Sequence, residues 1–319
     1  MMTPPSFFDL VEEYLAFRHG LGFELESRSW MLRDFGRYAD RTGHPGHLTI
    51  DLQVQWALST RLSDPAYAAV RLSTVRRFAQ HRALADPATE VPPAGLLGPV
   101  SRPRKPPHIY SEAEVRALLR EANLLAPCHG LRPRTYVAFF SLLLSTGLRL
   151  SEGCRLERRD VDFAAGVVTI REGKFRKSRL VPLHPTSTEA LRDYAAYRDA
   201  CRNAPRSERF FRTDRAPALT RKSVERTFSS LRERLGWSPQ GRARQPRIHD
   251  MRHTFAVRRL LAWYEEGAEA DRKILALATY LGHVRPTETY WYLSAVPELM
   301  AITSQRFEHL VRSEQEGGS

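Results

Sequence analysis

The segment HDMRH, residues 249–253, contains side chains that could take part in a reaction. His249 and Arg252 are three positions apart, so on a helix they share one face and can reach the oxygens of one phosphate group. The spacing has little weight by itself, because His129–Arg132 and His309–Arg312 repeat it elsewhere in the chain. An isolated pair of this kind is more often a solvated pair on a helix surface.

Four more positions carry side chains suited to the same chemistry. Arg149 stands between a glycine turn and a helix start, Lys174 lies in a basic loop, and His283 ends the segment LGH. Tyr292 follows nine residues later. Each has an ordinary structural explanation, because lone Arg and Lys side chains are usually solvated and half-buried His and Tyr are common.

Taken in order along the chain, these residues resemble the catalytic set of the tyrosine recombinase and integrase family, with its phage-integrase-like and Xer-like members. The local segments TGLRLSE, GKFRKSRLVPL, HDMRHTFA, and LGH followed by TETYWYL are similar to the conserved boxes of that family. The resemblance covers the whole of the second predicted domain, residues 109–312. It extends more weakly to the first half, where VRRFAQHRAL resembles the last helix of the family's DNA-clamping domain.

The resemblance implies a site-specific recombinase that integrates, excises or transposes a mobile element, and that needs no metal, ATP or other cofactor. Tyr292 would attack the scissile phosphate and form a covalent 3′-phosphotyrosine ester, which conserves the bond energy for rejoining. Arg149 and Arg252 would clamp the phosphate, because guanidinium forks match its geometry. Lys174 would protonate the leaving 5′-oxygen.

The remaining expected roles are those of two catalytic histidines, one supporting acid and the DNA-contacting residues. His249 would serve as acid and base for the tyrosine proton, and His283 would hydrogen-bond the phosphate. Glu152 matches a conserved acid of the family and is expected to support the fold of the site. The residues expected to contact DNA are Arg71, Arg76, Arg77, Arg82, Arg176, Lys177 and Arg179.

Two of these assignments have a competitor nearby. Lys177 lies close enough in the loop to replace Lys174 as the acid, although the family's GK segment favours Lys174. Tyr290 lies two positions before Tyr292, and residues two apart on a helix point roughly 200° away from each other, so only one can face the phosphate. The nine-residue offset from His283 favours Tyr292.

The scaffold that must position these residues is predicted to be mainly α. Residues 91–108, VPPAGLLGPVSRPRKPPH, hold six prolines and are predicted to form an extended linker. The predicted parts are an N-terminal helical domain over 1–90, this linker, a catalytic domain over 109–312 and a disordered polar tail over 313–319. By resemblance, the first part is a four-helix, SAM-like, DNA-binding domain.

Apolar spacing and turn residues predict the elements of both domains. In the first domain the predicted helices start near Phe7 and end by Gly20, repeat around Leu32–Tyr38, and cover Ile50–Leu58 and 66–84. In the second, Ser111 and Glu114 form a capping box, an apolar helix covers 134–145, and a short helix starts at Ser151. A β-hairpin over 167–170 and 179–183 then precedes helices over 185–201, 220–235, 249–264, 268–281 and 286–312. The catalytic domain is therefore predicted to be mixed α+β, helical with a small antiparallel sheet.

Composition and charge narrow the class of protein. The chain has 319 residues, a net charge of +13 and no apolar run long enough for a membrane helix. Residues 109–319 hold 36 Lys and Arg against 25 Asp and Glu, which suits a polyanionic partner. Only five of the 49 basic residues are Lys, so composition bias explains part of the excess. Three widely spaced cysteines argue against a disulfide scaffold or zinc cluster.

The resemblance also implies the partners and location of the protein. We expect double-stranded DNA with an inverted-repeat core site, bound by a homodimer, with two dimers forming a tetramer in the synapse. Other recombinases of the same element are further expected partners, and a membrane is not. The expected location is the bacterial cytoplasm, at the nucleoid.

Two other functions stay open at this point. A type IB topoisomerase-like enzyme has the same core chemistry and differs in lacking sequence-specific strand exchange between two duplexes. A catalytically inactive DNA-binding relative is the second alternative, and the complete set of Arg, Lys, His, Arg, His and Tyr speaks against it.

Overall fold

The structure is a computed structural model, and it describes the chain in segments: 5–23, 25–44, 47–60, 65–100, 106–171, 178–201, 205–238, 245–266, 270–283, 287 and 289–291. The chain divides into two compact units, Met1–Arg104 and Lys105–Ser319. Within the described segments, no helix combines the length and the apolar character needed to cross a membrane.

The described part of the first unit consists of helices. They are α1 (Phe7–Gly20), α2 (Glu26–Arg41), α3 (Ile50–Leu58) and α4 (Pro65–Arg82). The side chain of Ser6 caps α1 and forms a capping box with Asp9, and Thr49 caps α3 through the backbone nitrogen of Leu52. The four-helix prediction is confirmed, and α3 has the predicted bounds.

The core of the first unit draws on all four helices. Phe35 of α2 meets Trp56 of α3 and Phe78 of α4 edge to face, with ring centroids 5.3 and 6.3 Å apart. Val11 of α1 and Val75 of α4 are fully buried beside them. Large apolar side chains of this kind each stabilise the fold by about 1.5–3 kcal/mol when buried, so the four helices form one body.

The second unit is mainly helical with a small sheet. Its helices are α5 (Glu112–Asn123), α6 (Leu131–Thr146), α7 (Leu150–Arg155), α8 (Pro185–Ala200), α9 (Arg221–Arg234), α10 (Ile248–Glu265) and α11 (Ala270–Leu281). Its strands are β1 (Val161–Asp162), β2 (Val167–Ile170) and β3 (Arg179–Pro182). The predicted capping box of Ser111 and Glu114 opens α5.

Helix α6 is the centre of the second unit. Phe139 and Phe140 on this helix are fully buried in the main apolar cluster. The helix ends at Gly147, which adopts φ +63° and donates its backbone N–H to Leu143 O at 2.9 Å. A Cβ at Gly147 would lie 2.7 Å from the ring of Phe255, so the glycine also lets α10 pack closely against this helix end.

The sheet is antiparallel in the order β1-β2-β3. Val168 pairs with Val181, and both side chains are fully buried, which confirms the predicted hairpin. Strand β1 adds Val161 opposite Val168 and was not predicted. Two residues show no period of their own, so this strand exists only through its pairing.

Helices α10 and α11 pack together through a second apolar cluster. Leu260 of α10 and Ile274, Leu277 and Leu281 of α11 are buried in it. This packing fixes the first turn of α10, which contains the segment HDMRH, relative to the end of α11. The ends of the two helices therefore define where the predicted site residues meet.

The predicted linker is only partly described. Val91 and Leu97 pack against the core of the first unit, and Arg76 Nε donates to Pro92 O at 2.8 Å. Ile109 packs against the α10–α11 cluster of the second unit. The predicted bounds of the linker stay a prediction. Outside the described residues lie 101–105, the loop 172–177, most of the predicted helix 286–312 and the tail.

Candidate active site

The site residues meet at the C-terminal end of α11. The helix ends in a glycine motif, in which Gly282 adopts φ +68° and donates to Thr279 O at 3.0 Å. The backbone N–H of His283 donates to Ala278 O at 2.9 Å. These two bonds satisfy the carbonyls of Ala278 and Thr279. The next three carbonyls, of residues 280–282, have no partner within the helix and must find one elsewhere.

Three arginines from different elements each donate one hydrogen bond to one of these carbonyls. The pairs are Arg179 Nε with Tyr280 O at 2.8 Å, Arg252 Nη2 with Leu281 O at 2.7 Å and Arg149 Nη2 with Gly282 O at 2.7 Å. A helix C-terminus carries partial negative charge, which favours cations at this position. The guanidinium groups of Arg149 and Arg252 are thereby held on consecutive peptide groups, side by side.

Arg252 is the most buried of the three. The residue belongs to α10 and is only 2% exposed. Its Nη2 reaches Leu281 O, and its Nη1 donates to Gly147 O at 2.7 Å. One guanidinium therefore joins the end of α6 to the end of α11 and fixes the distance between them.

Glu152 supplies the negative charge that holds the other two arginines. Its side chain is 2% exposed, and Oε1 accepts from Arg149 Nη1 at 2.8 Å while Oε2 accepts from the backbone N–H of Arg149 at 2.9 Å. Burial by itself would raise the pKa of Glu152. Hydrogen bonds and charge from Arg179 and Arg149 outweigh it and lower the pKa to about 2, so the group is ionised. A buried carboxylate that positions a cation fits the supporting role predicted for Glu152.

Arg179 lies inside this network, at the start of β3. Its Nη1 and Nη2 donate to the two oxygens of Glu152 at 3.0 and 2.8 Å, and its side chain is 13% exposed. The sequence predicted a DNA contact for Arg179. Its guanidinium instead makes a two-pronged ionic contact and binds the end of α11, so it ties the hairpin to the site from within.

The two predicted histidines are uncharged at neutral pH. Burial lowers the pKa of His249 to about 4 and that of His283 to about 3, and the positive charge of Arg252 is the next cause for both. The charge of Arg149 acts on both rings as well. Both rings are therefore neutral imidazoles, which can accept a proton or donate one N–H.

A third histidine, His253, lies beside them and was not predicted. Its ring meets that of His249 edge to face at 4.7 Å and that of Trp291 at 5.8 Å. The pKa of His253 is lowered to about 3, mainly by burial and next by the neighbouring His249. The spacing i, i+4 from His249 on one helix face was the signal in the sequence that could have identified it.

The segment just before the predicted nucleophile is partly described. Thr289 is fully buried, and its Oγ1 lies 2.7 Å from Nδ1 of His283. Trp291 packs against the α10–α11 cluster, whereas Tyr290 is 39% exposed. Outside the described residues lie Tyr292 and the loop residues Lys174, Arg176 and Lys177.

The four arginines predicted to contact DNA in the first unit differ in placement. Arg77 is exposed and Arg82 is half-buried at the end of α4. The Nε of Arg76 donates a hydrogen bond to the carbonyl oxygen of Pro92. Arg71 is 6% exposed, and its guanidinium lies 4.0 Å from the ring of Trp56. Arg71 is thus a structural residue of the core, and we do not retain it as a DNA contact.

A basic cleft borders the site in the second unit. It has a volume of about 460 Å³ and lies between the starts of α7 and α10 and one face of α9. Its lining includes Arg149, Arg221, Arg232, Arg247 and His249. Three of these arginines were not among the predicted site residues: Arg221 and Arg232 of α9, and Arg247, which directly precedes α10. Among the described residues, no group of three or more His, Cys, Asp or Glu is arranged to hold a metal ion.

The fold and the converging arginines and histidines define an enzyme of phosphodiester chemistry, and the comparisons identify its family. Residues 110–298, more than half of the chain, match the phage integrase family, to which the chain therefore belongs. It is a tyrosine-type site-specific recombinase, an enzyme that breaks and rejoins DNA. This finding favours the recombinase over the two alternatives that the sequence left open.

Relatives of known sequence match along nearly the whole chain. The Sinorhizobium fredii protein y4rB, named as an integrase/recombinase, is 41% identical over 308 residues, which are 95% of this chain and 97% of that protein. The tyrosine recombinase XerD of Bradyrhizobium diazoefficiens is 30% identical over 284 residues, 83% of this chain and 85% of that one.

Solved structures share the fold. The Tn1549 transposon integrase in complex with transposon right end DNA has a TM-score of 0.68 at 16% identity, with 96% of this chain and 100% of that chain covered. A lambda integrase tetramer bound to a Holliday junction has a TM-score of 0.61 at 18% identity, with 90% and 79% covered. The predicted mainly helical fold with a small antiparallel sheet is confirmed.

Proposed function

We propose that Tyr292 is the nucleophile of this recombinase and that Arg149, Arg252, His249 and His283 form the cage that holds the scissile phosphate. The observation that carries the proposal is the placement of Arg149 and Arg252 on consecutive carbonyls at the end of α11. His283 follows that helix end directly, and Tyr292 comes nine residues later. A short chain thus connects the cage to the nucleophile.

The cage favours the transition state by charge. In the pentacovalent phosphorus state, negative charge grows on the two non-bridging oxygens, and two fixed guanidinium groups stabilise it without reorganising. The arginines are already held by backbone carbonyls and by Glu152, so little side-chain entropy is lost when the phosphate binds. Positive charge supplied in this way serves the role that a metal ion has in other nucleases, and we therefore propose cleavage without metal.

Each proton transfer accompanies a bond that is made or broken at phosphorus. The phenol oxygen of Tyr292 forms a bond to phosphorus, and its proton passes to His249, whose ring is neutral before the transfer. The bond from phosphorus to the 5′-oxygen breaks, and Lys174 gives that oxygen a proton. The product is a 3′-phosphotyrosyl ester, and a 5′-hydroxyl of another strand reverses the same steps, so no ATP is needed.

The test is covalent trapping on a nicked duplex, which loses its short 5′-hydroxyl fragment after cleavage. Duplexes tiled across the DNA that flanks the gene provide the candidate sites, and EDTA is present throughout. We expect a protein–DNA adduct with the wild type and with the matched control Tyr290→Phe, and none with Tyr292→Phe. Loss of the adduct in Tyr290→Phe alone would refute the nucleophile assignment, and a requirement for Mg²⁺ would refute metal independence.

We further propose that the protein binds an inverted-repeat site as a homodimer and exchanges strands as a tetramer. The lambda integrase tetramer on a Holliday junction supports this assembly through the shared fold. Mass photometry with one half-site, a full site and a four-way junction is expected to give one, two and four protomers. A single protomer on the full site would contradict the proposal.

The biological role we propose is integration and excision, or transposition, of a mobile element at the bacterial nucleoid. The likeness to y4rB, named as an integrase/recombinase, supports this role. The expected readout is the circular junction of the excised element, detected by amplification from cells that express the wild type and absent with Tyr292→Phe. Co-purification with other recombinases of the same element would extend the set of partners.

A further inference from the structure

His283 and Thr289 form a contact that the predicted catalytic set does not include. The hydroxyl oxygen of Thr289 lies 2.7 Å from Nδ1 of the His283 ring, and Thr289 is fully buried. Thr289 precedes the nucleophile position by three residues. The contact therefore bridges the end of α11 and the segment that carries Tyr292.

Burial and, after it, the charges around His283 set the protonation state of its ring. The groups that act on the ring most strongly, after burial, are Arg252 of α10, Arg149 at the start of α7, His249 of α10 and Arg179 of β3. All of them are cationic or neutral, and together with burial they lower the pKa of His283 to about 3. The ring is therefore a neutral imidazole with a single N–H at neutral pH.

A neutral imidazole can help a phosphate in only one of its two tautomers. Phosphate oxygens only accept hydrogen bonds, so the nitrogen that faces them must carry the proton. With Nδ1 next to Thr289, the nitrogen left for the phosphate is Nε2. The useful tautomer has the proton on Nε2 and a bare lone pair on Nδ1, and this lone pair needs a donor because an unsatisfied buried acceptor is costly.

We propose that Thr289 is a positioning residue that donates its hydroxyl hydrogen to Nδ1 of His283 and thereby holds the proton on Nε2, where it faces the scissile phosphate. The proposal rests on the proposed function, in which His283 contacts that phosphate. The backbone of His283 is already fixed by its bond to Ala278 O, so the threonine determines the remaining freedom, ring orientation and tautomer.

The variants Thr289→Val and Thr289→Ser separate this role from packing. Valine has the shape of threonine and fills the same buried space, whereas serine keeps the hydroxyl and leaves a cavity the size of a methyl group. A positioning role predicts that Ser cleaves within about threefold of the wild type, and that Val is about 10- to 100-fold slower, as expected for one lost hydrogen bond to a transition-state donor. A packing role predicts the reverse order.

The assay is single-turnover adduct formation on the nicked duplex, together with the ¹⁵N shifts of the imidazole nitrogens in the wild type, assigned with His283→Ala. We expect the N–H of His283 on Nε2, and no further slowing when Thr289→Val is added to His283→Ala. Equal rates for Val and Ser, or a proton found on Nδ1 in the wild type, would overturn the inference and leave the recombinase function intact. Absence of any adduct with the wild type would instead count against the proposed function.

Discussion

The substitution Glu152→Gln measures how far the arginine cage depends on one buried negative charge. The two oxygens of Glu152 accept hydrogen bonds from Arg179 at 3.0 and 2.8 Å and from Arg149 at 2.8 Å. Glutamine has the same size, but one of its terminal atoms is an amide donor that faces guanidinium donors. Both arginines would lose their counter-charge while staying mostly buried.

The magnitude follows from the pKa of Glu152, which falls from 4.5 to about 2 in the folded protein. At about 1.4 kcal/mol per pKa unit, the ionised carboxylate contributes about 3 kcal/mol to the free energy of unfolding at pH 7. Because the folded pKa is the lower one, this stability is complete above pH 4.5 and is lost as the pH falls towards 2. The difference between wild type and variant is therefore about 3 kcal/mol at pH 7 and about 2 kcal/mol at pH 3.5.

Hydrogen exchange along a urea titration, read by mass spectrometry, reports the second unit separately from the first. Glu112→Gln is the matched control, because Glu112 forms an exposed pair with Arg116 at 3.5 Å and its loss costs less than about 0.5 kcal/mol. If Glu152→Gln costs no more than this control, the carboxylate does not hold the cage. A loss that does not shrink at pH 3.5 would point to a steric cause.

Three further predictions address the helix end, the histidines and the first unit. Gly282→Ala places a Cβ 3.1 Å from the Arg179 guanidinium and is expected to slow cleavage. The control Gly236→Ala has similar backbone strain, with φ +65°, but its Cβ meets open space, so cleavage is expected to be unchanged. Because the pKa of His249 is about 4, kcat/KM for cleavage should stay level from pH 8 to 5, and a fall near pH 6.5 would contradict its burial. In DNA-binding titrations Arg77→Gln should reduce the salt slope by about 1, whereas Arg71→Gln should lower the stability of the first unit instead, as thermal unfolding will show.

The local parts of the fold were predictable because each depends on a few neighbouring residues. The serine and glutamate of the capping box that opens α5, the glycine that caps α6 and the alternating buried residues Val168 and Ile170 of the hairpin all act within one turn or one strand pair. Strand β1 could not be predicted, since two residues carry no pattern and form a strand only beside β2.

Two of the arginines predicted to contact DNA have partners within the protein, and there is a physical reason why the sequence could not show this. A sequence gives the charge of an arginine but not its partner. Arg71 and Arg179 were both expected at DNA, yet one stacks on Trp56 in a core and the other binds Glu152 and a helix end. A carboxylate or carbonyl inside the protein accepts hydrogen bonds from the same guanidinium N–H donors as a DNA phosphate does. Composition therefore cannot separate a structural arginine from a DNA-binding one.

The amino-acid sequence by itself determined the family, the order of the site residues along the chain and most of the helices, because spacing and segment identity are properties of the chain alone. Which of these groups meet follows from the packing of the helices. Arg179 and Arg149 donate hydrogen bonds to the end of α11 across 101 and 133 residues of sequence. Arg252 donates one to the end of α6 across 105 residues. Contacts at such distances depend on the packing of whole helices, and no local pattern records them.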